Sequence, residues 1–254
     1  MKTKPPLINR RTAFTLVEVI VMIAIIALLA LFFLPATTSN RSKSSRIYCM
    51  NNLKQIGIAY RLWSSDNGDL WPTQQTISNG GWADLLTNAN QGPICWTNYA
   101  ILADDLGQEP KLVRCPADER QPAASFTNKF NNSNVSYFFG VSANDLYPQS
   151  IMEGDRNLGP GLISSNDYGY SPKTGKGNDV AIPTNSAKYP VSWSLKMHSA
   201  GNPPGSGNIL LGDGSGQQVS TASFNGVWLP NADPTTNWPA GHFPTTPSIR
   251  LVFP

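Results

Sequence analysis

Residues 10–34 read RRTAFTLVEVIVMIAIIALLALFFL. From Phe14 to Leu34 only Thr15 and Glu18 are polar among 21 residues. At about 1.5 Å of rise per residue such a helix is about 30 Å long, the thickness of a bilayer core, so the stretch predicts one membrane-spanning helix over 14–35. An ordinary secretory signal competes, with Lys2, Lys4, Arg10 and Arg11 ahead of the apolar run and cleavage near Pro35-Ala36. The run is long for such a signal, and Leu34 is a poor fit to a small-x-small cleavage site. Glu18 is the residue that discriminates. A carboxylate near the end of a membrane helix costs roughly 2 to 3 kcal/mol, which makes it a functional candidate in want of a partner, against plain snorkelling to the interface.

Working outward, charge falls on the flanks of this run. Arg41, Lys43, Arg46, Lys54 and Arg61 follow it with no acid up to residue 61, whereas Leu62 onward holds 10 basic and 15 acidic residues. A net charge of +3 therefore conceals a mildly acidic body, and the pattern suits anionic lipid headgroups rather than nucleic acid. Only 14% of residues are charged, against roughly 25% in an average soluble protein, and 21 Gly with 21 Pro imply much turn and irregular backbone.

Cys49, Leu53, Ile56, Tyr60 and Trp63 recur at helical spacing and predict an amphipathic stem over 36–64, ended by the turn signal Asp66-Asn67-Gly68-Asp69. Beyond it, short strands are expected around 94–102, 111–115, 135–142, 190–195, 208–213 and 216–220, with long loops over 143–188 and 225–248. Asn208–Leu211, Gly212-Asp213-Gly214 and Gln217–Val219 read as a hairpin. Pro35 is expected to end or kink the first helix.

The run Ala13-Phe14-Thr15-Leu16-Val17-Glu18 behind Arg10-Arg11 resembles the prepilin signal of type IV pilins and type II secretion pseudopilins. That resemblance implies cleavage of the Ala13-Phe14 bond by a prepilin peptidase, methylation of the new terminus, and a role for Glu18 in neutralising the N-terminal amine during assembly with other pilin or pseudopilin subunits. Alanine stands at 13 where glycine is the family rule. Cys49-Met50-Asn51-Asn52-Leu53-Lys54-Gln55-Ile56-Gly57, Arg114-Cys115-Pro116-Ala117-Asp118, Gly154-Asp155-Arg156-Asn157 and Asn208 to Ser215 resemble the large-head pilin-like proteins of Planctomycetes and Verrucomicrobia. Many of those place a histidine nine residues before the Asp-Gly pair; His198 lies farther from Asp213, with Pro203-Pro204-Gly205 between.

The fold class expected is α+β and pilin-like: a long N-terminal transmembrane and amphipathic helix packed on a small antiparallel sheet head with long loops. Its parts are a leader over 1–13, the spanning helix over 14–35, the stem over 36–64 and an exported head over 65–254. The expected location is the bacterial inner membrane, single-pass and in contact with its lipid, with the N-terminus cytoplasmic and the head periplasmic or in an extracellular fibre. Exported cysteines suggest a Cys95–Cys115 bridge closing a loop of about 20 residues, worth roughly 3 kcal/mol, against two unpaired apolar thiols.

No catalytic motif is present, and none of the sequence points to a cofactor or a metal. His198 reads as structural or exposed rather than as a ligand. Asp104-Asp105 and Asp118-Glu119 read as solvated pairs, and a calcium loop using Asp179 or Asp213 lacks the usual spacing. Of seven tryptophans, Trp228 and Trp238 are the best candidates for an exposed binding role; core packing is the plainer expectation for the rest. A non-catalytic fibre subunit is the leading expectation, and a tethered binding module for an envelope polysaccharide or protein is the alternative.

Overall fold

The computed structural model describes residues 14–33, 36–87, 95–162, 167–169, 178–200, 205–235 and 244–254. They fall into two compact units, residues 1–41 and 42–254. The expected leader, Pro35 and Trp238 lie outside the described residues.

In the first unit, helix α1 runs Leu16–Phe33. Among the described residues no helix is long and apolar enough to cross a membrane, which corrects the transmembrane helix expected over 14–35. The 18 residues of α1 rise about 27 Å, short of a hydrocarbon core of about 30 Å, and the next helix, α2 (Ala36–Asp66), opens on the polar run ATTSNRSKSSR.

The second unit is α+β with an antiparallel sheet. Cys49, Leu53, Ile56, Tyr60 and Trp63, the stripe expected on α2, are all buried, each at 8% exposure or less. Burying such side chains contributes roughly 2 kcal/mol apiece. A Cβ at Gly57 would stand 2.8 Å from Leu210 Cδ2, so this glycine lets the helix come close to the sheet. The helix ends at Asp66, where Gly68 (φ 71°) and Asp69 (φ 60°) reverse the chain and Asn67 Nδ2 donates to Trp63 O at 2.8 Å.

Eight strands follow among the described residues. They are β1 (Tyr137–Gly140), β2 (Ile151–Asp155), β3 (Leu158–Pro160), β4 (Asn178–Pro183), β5 (Val191–Trp193), β6 (Ser206–Leu211), β7 (Gly216–Ser220) and β8 (Ser248–Phe253). Six form an antiparallel sheet in the order β4-β8-β1-β2-β6-β7, while β3 and β5 pair separately. The hairpin from β6 to β7 falls where its turn residues put it, with Asp213 Oδ1 accepting from Ser215 N at 2.7 Å.

Two expected strands are helical instead: Cys95–Ile101 forms α4 (after a short α3, Ala83–Thr87), and Pro110–Val113 is a 3-10 turn. Cys95, Asn98, Tyr99 and Leu102 are buried at a helical repeat, so the apolar period there is near 3.6 and not 2. The loop expected over 143–188 contains β2, β3 and β4. Its strand β2 is buried on both faces and so shows no alternation.

Each face of the sheet covers a core. One contains the α2 stripe with Tyr99, Tyr137, Phe139, Met152, Leu210 and Val252. The other contains Phe138, Ile151, Ile209, Leu211, Leu251 and Phe253, closed by β3, β5 and the helical segment 221–231. A bulge between Ile151 and Glu153 resets the alternation of β2, so that Met152 joins the α2 side and Glu153 pairs with Phe139 while Asp155 pairs with Tyr137. Two acids thereby lie on the face that looks toward α2.

A buried ion pair fastens the loops at the end of β2. Arg156 Nε and Nη2 grip Asp118 Oδ2 and Oδ1 at 2.7 and 2.6 Å, and Ser136 Oγ donates to the same Oδ2 at 2.7 Å. Arg120 donates to carbonyls of Asn132, Val135, Gly169 and Pro254. Burial alone would raise the Asp118 carboxyl, but Arg156 and Ser136 more than offset that and hold it below its ordinary value. Arg156→Ala leaves the Asp118 charge buried without its bidentate partner, and urea unfolding is expected to show a loss of about 3 to 5 kcal/mol.

Candidate functional site

The N-terminal motif and the body carry separate constellations. At the start of α1, Glu18 Oε2 accepts from Thr15 N at 2.7 Å and Thr15 Oγ1 at 2.8 Å, and Glu18 N donates back to Thr15 Oγ1 at 3.4 Å. This is a capping box, Thr-x-x-Glu, which satisfies donors at the first turn and sets a carboxylate against the positive end of the helix dipole. The spacing was available in the sequence at Thr15 and Glu18. It gives Glu18 a local partner in addition to the role that the prepilin resemblance implies. Phe14 lies just before the cap and is exposed; Ala13 lies outside the described residues.

In the body, Cys49 of α2 is bridged to Cys115, with Cα atoms 5.1 Å apart and a sequence separation of 66. Cys95 is a free buried thiol. The expected Cys95–Cys115 bridge is therefore corrected, because α4 turns Cys95 Sγ toward the carbonyls of Tyr137 and Val252 at 3.5 and 3.6 Å. By loop-closure entropy a loop of this size is worth roughly 4 kcal/mol, more than the shorter loop would give.

Beside the bridge lie two more buried groups. His198, in the 3-10 turn Met197–Ala200, places Nε2 3.0 Å from Asp155 Oδ2, and both side chains are fully buried. Asn208 on β6 donates its backbone N–H to Asp155 Oδ2 at 2.6 Å, and its Nδ2 stands 3.2 Å from His198 Nε2. Arg46 Nη2 donates to His198 O, and Asn208 Nδ2 donates to Arg46 O, each at 3.2 Å. Cys49, Cys115, Asp155 and His198 bring their ligand atoms within 4.8 Å of one another. Nothing in the sequence joined them, because each comes from a different segment of the chain; of the two expectations for His198, structural or exposed, its burial excludes the second.

On the same strand Glu153 is also fully buried, with the Tyr60 and Tyr99 hydroxyls beside its carboxyl but no geometric hydrogen bond to either oxygen. Burial pushes its pKa well above the ordinary 4.5, and the two tyrosines only partly oppose this. Asn98 Nδ2 donates to Tyr60 OH, and Tyr99 OH donates to Tyr137 O at 3.1 Å. Burial, and then the proximity of Glu153, raise the Cys95 thiol well above its usual range and leave it unreactive.

The adjacent acids separate: Asp118 is in the buried ion pair and Glu119 is exposed. Asp179 pairs with Arg250 at 2.6 Å. Trp63, Trp71, Trp82 and Trp193 are core residues, while Trp228 is partly buried and lines a groove of about 600 Å³ with Asp213, Gln217, Val227 and Asn231. Compared with known proteins, the chain matches no family model, no curated protein and no solved structure.

A raised carboxyl pKa in the folded state means that the native chain binds a proton which the unfolded chain releases. The associated stability is complete below pH 4.5 and is lost as pH rises through the folded value, on the order of 1.4 kcal/mol per unit. Glu153→Gln keeps the shape without the charge. Thermal unfolding followed from acid to alkaline pH is expected to show the variant more stable than the parent at neutral pH, with the slope due to this site abolished.

Proposed function

We propose that the chain is a non-catalytic pilin-like subunit of a type II secretion pseudopilus or type IV pilus-like fibre, processed by a prepilin peptidase at Ala13-Phe14. The observation that carries this reading is α1 itself. It begins two residues after Phe14 with a formed cap, and Leu16, Val17, Ile20, Ile23 and Ile26 are each more than half exposed. Exposed apolar surface on this scale wants a partner. The same helix from neighbouring copies supplies one, with Glu18 free to exchange its bond to Thr15 for the amine of a neighbour's Phe14. The body, held together by its own two cores and a disulfide, would then decorate the fibre.

A binding module for an envelope polysaccharide is the second reading, and the Trp228 groove favours it. A half-buried indole ringed by Asp213, Gln217 and Asn231 offers the stacking face and polar rim that a sugar ring uses.

For the first reading, mass spectrometry of the mature protein is expected to show an N-terminal methylated Phe14, and a start near Thr37 sinks it. Glu18→Gln preserves a capping box and removes the charge, whereas Glu18→Ala removes both. Both variants are expected to lower incorporation into fibres about tenfold or more; normal incorporation of Glu18→Gln would show that capping alone matters. For the second, native gels containing polysaccharide are expected to retard the parent and not Trp228→Ala, with unfolding free energies within about 1 kcal/mol of each other.

A further inference from the structure

The bridge Cys49–Cys115 is embedded in a setting that a structural disulfide does not require. Two other groups with metal-binding atoms, the Asp155 carboxylate and the His198 imidazole, share the same space within 4.8 Å. All four side chains are buried. Asp155 Oδ1 and His198 Nδ1 are enclosed without a hydrogen-bond partner, a costly arrangement for a site whose only task is packing.

We infer that Cys49, Cys115, Asp155 and His198 form a binding site for a zinc-type divalent cation when the bridge is reduced, so that disulfide and metal are alternative states of one locus. The inference is independent of the fibre reading. Zinc takes four ligands in a tetrahedron at about 2.0 to 2.3 Å, which sets its ligand atoms roughly 3.3 to 3.8 Å apart. The four ligand atoms lie within 4.8 Å of one another; reduction lets the two sulfurs part to the tetrahedral spacing, and the His198 Nε2 to Asp155 Oδ2 separation of 3.0 Å needs only a small opening. Asn208 holds the carboxylate through its backbone N–H, the kind of outer contact that orients a metal ligand. Charge also closes. Two thiolates, one carboxylate and a divalent cation leave one negative charge, and the buried Arg46, bonded to the His198 carbonyl, stands beside it.

The exchange balances. A dithiol reductant opens the Cys49–Cys115 bond by taking up the disulfide itself, and its two protons and two electrons leave two thiols on the chain. The cation then displaces both thiol protons to solvent. Re-oxidation by a disulfide of the same class reverses the sequence and expels the metal, since bonded sulfurs are no longer thiolates.

Cobalt(II) is the probe. The full chain is reduced with a phosphine, which leaves as its oxide with water supplying the oxygen, then titrated with cobalt(II) and read by absorption, with circular dichroism reporting the fold. The expected result is one equivalent per chain, a thiolate-to-cobalt band and tetrahedral ligand-field bands, none of them in the oxidised chain. Cys49→Ser and Cys115→Ser are expected to abolish the thiolate band of the two-sulfur site, and Asp155→Asn and His198→Ala each to weaken binding at least tenfold and shift the ligand-field bands. Cys95→Ala is expected to change nothing. A reduced chain that takes up no cobalt, whether folded or not, overturns the proposal. So does uptake whose affinity and spectrum are the same in Asp155→Asn and His198→Ala as in the parent.

Discussion

The apolar stripe of α2 against the six-stranded sheet is the contact on which the body depends. Leu53, Ile56 and Tyr60 press on the face bearing Tyr137, Phe139 and Leu210, and Gly57 sets the distance of approach. That docking also places Cys49 at one end of the stripe and Tyr60 farther along it, over the two acids of β2. The helix therefore builds the core and roofs both polar clusters within it.

Those clusters follow from the register of β2 on β1, which sets Glu153 and Asp155 opposite Phe139 and Tyr137, and the bulge before them brings Met152 to the same face. Without the extra residue between Ile151 and Glu153, the strand's alternation would separate Met152 from its acidic neighbour's face in the ordinary way; with it, Met152 lies on the α2 side with Glu153 and Asp155 nearby in the same layer. Burial of a carboxylic acid is costly unless it is protonated, paired or coordinated. The body uses two of these solutions plainly: Glu153 is pushed toward its neutral form, and Asp118 is paired with Arg156. Asp155 has one oxygen bonded and the other enclosed, which suits the third.

Local patterns were legible where the physics was local. The α2 stripe, the turn after Asp66 and the β6–β7 hairpin rest on spacing and turn chemistry within a few residues, and the structure has them. The capping box at Thr15 and Glu18 was equally legible but hidden behind the question of what the carboxylate does in an apolar helix. Strands buried on both faces, such as β2, carry no alternation, and α4 carries too short a run for its period to be told from a strand's. The expected spanning helix rests on an apolar run that continues to Leu34, whereas α1 ends at Phe33.

What the sequence alone determined is the capped apolar N-terminal helix, the amphipathic one after it and a body dense in turns, because periodicity, capping and glycine chemistry are properties of neighbouring residues. Only the tertiary structure decided that Cys49 and not Cys95 joins Cys115, and that Asp155 and His198 stand beside them. Sulfur pairing and metal-binding geometry depend on where four distant elements meet. A linear pattern contains no such distances until the sheet has formed and the helix has docked upon it.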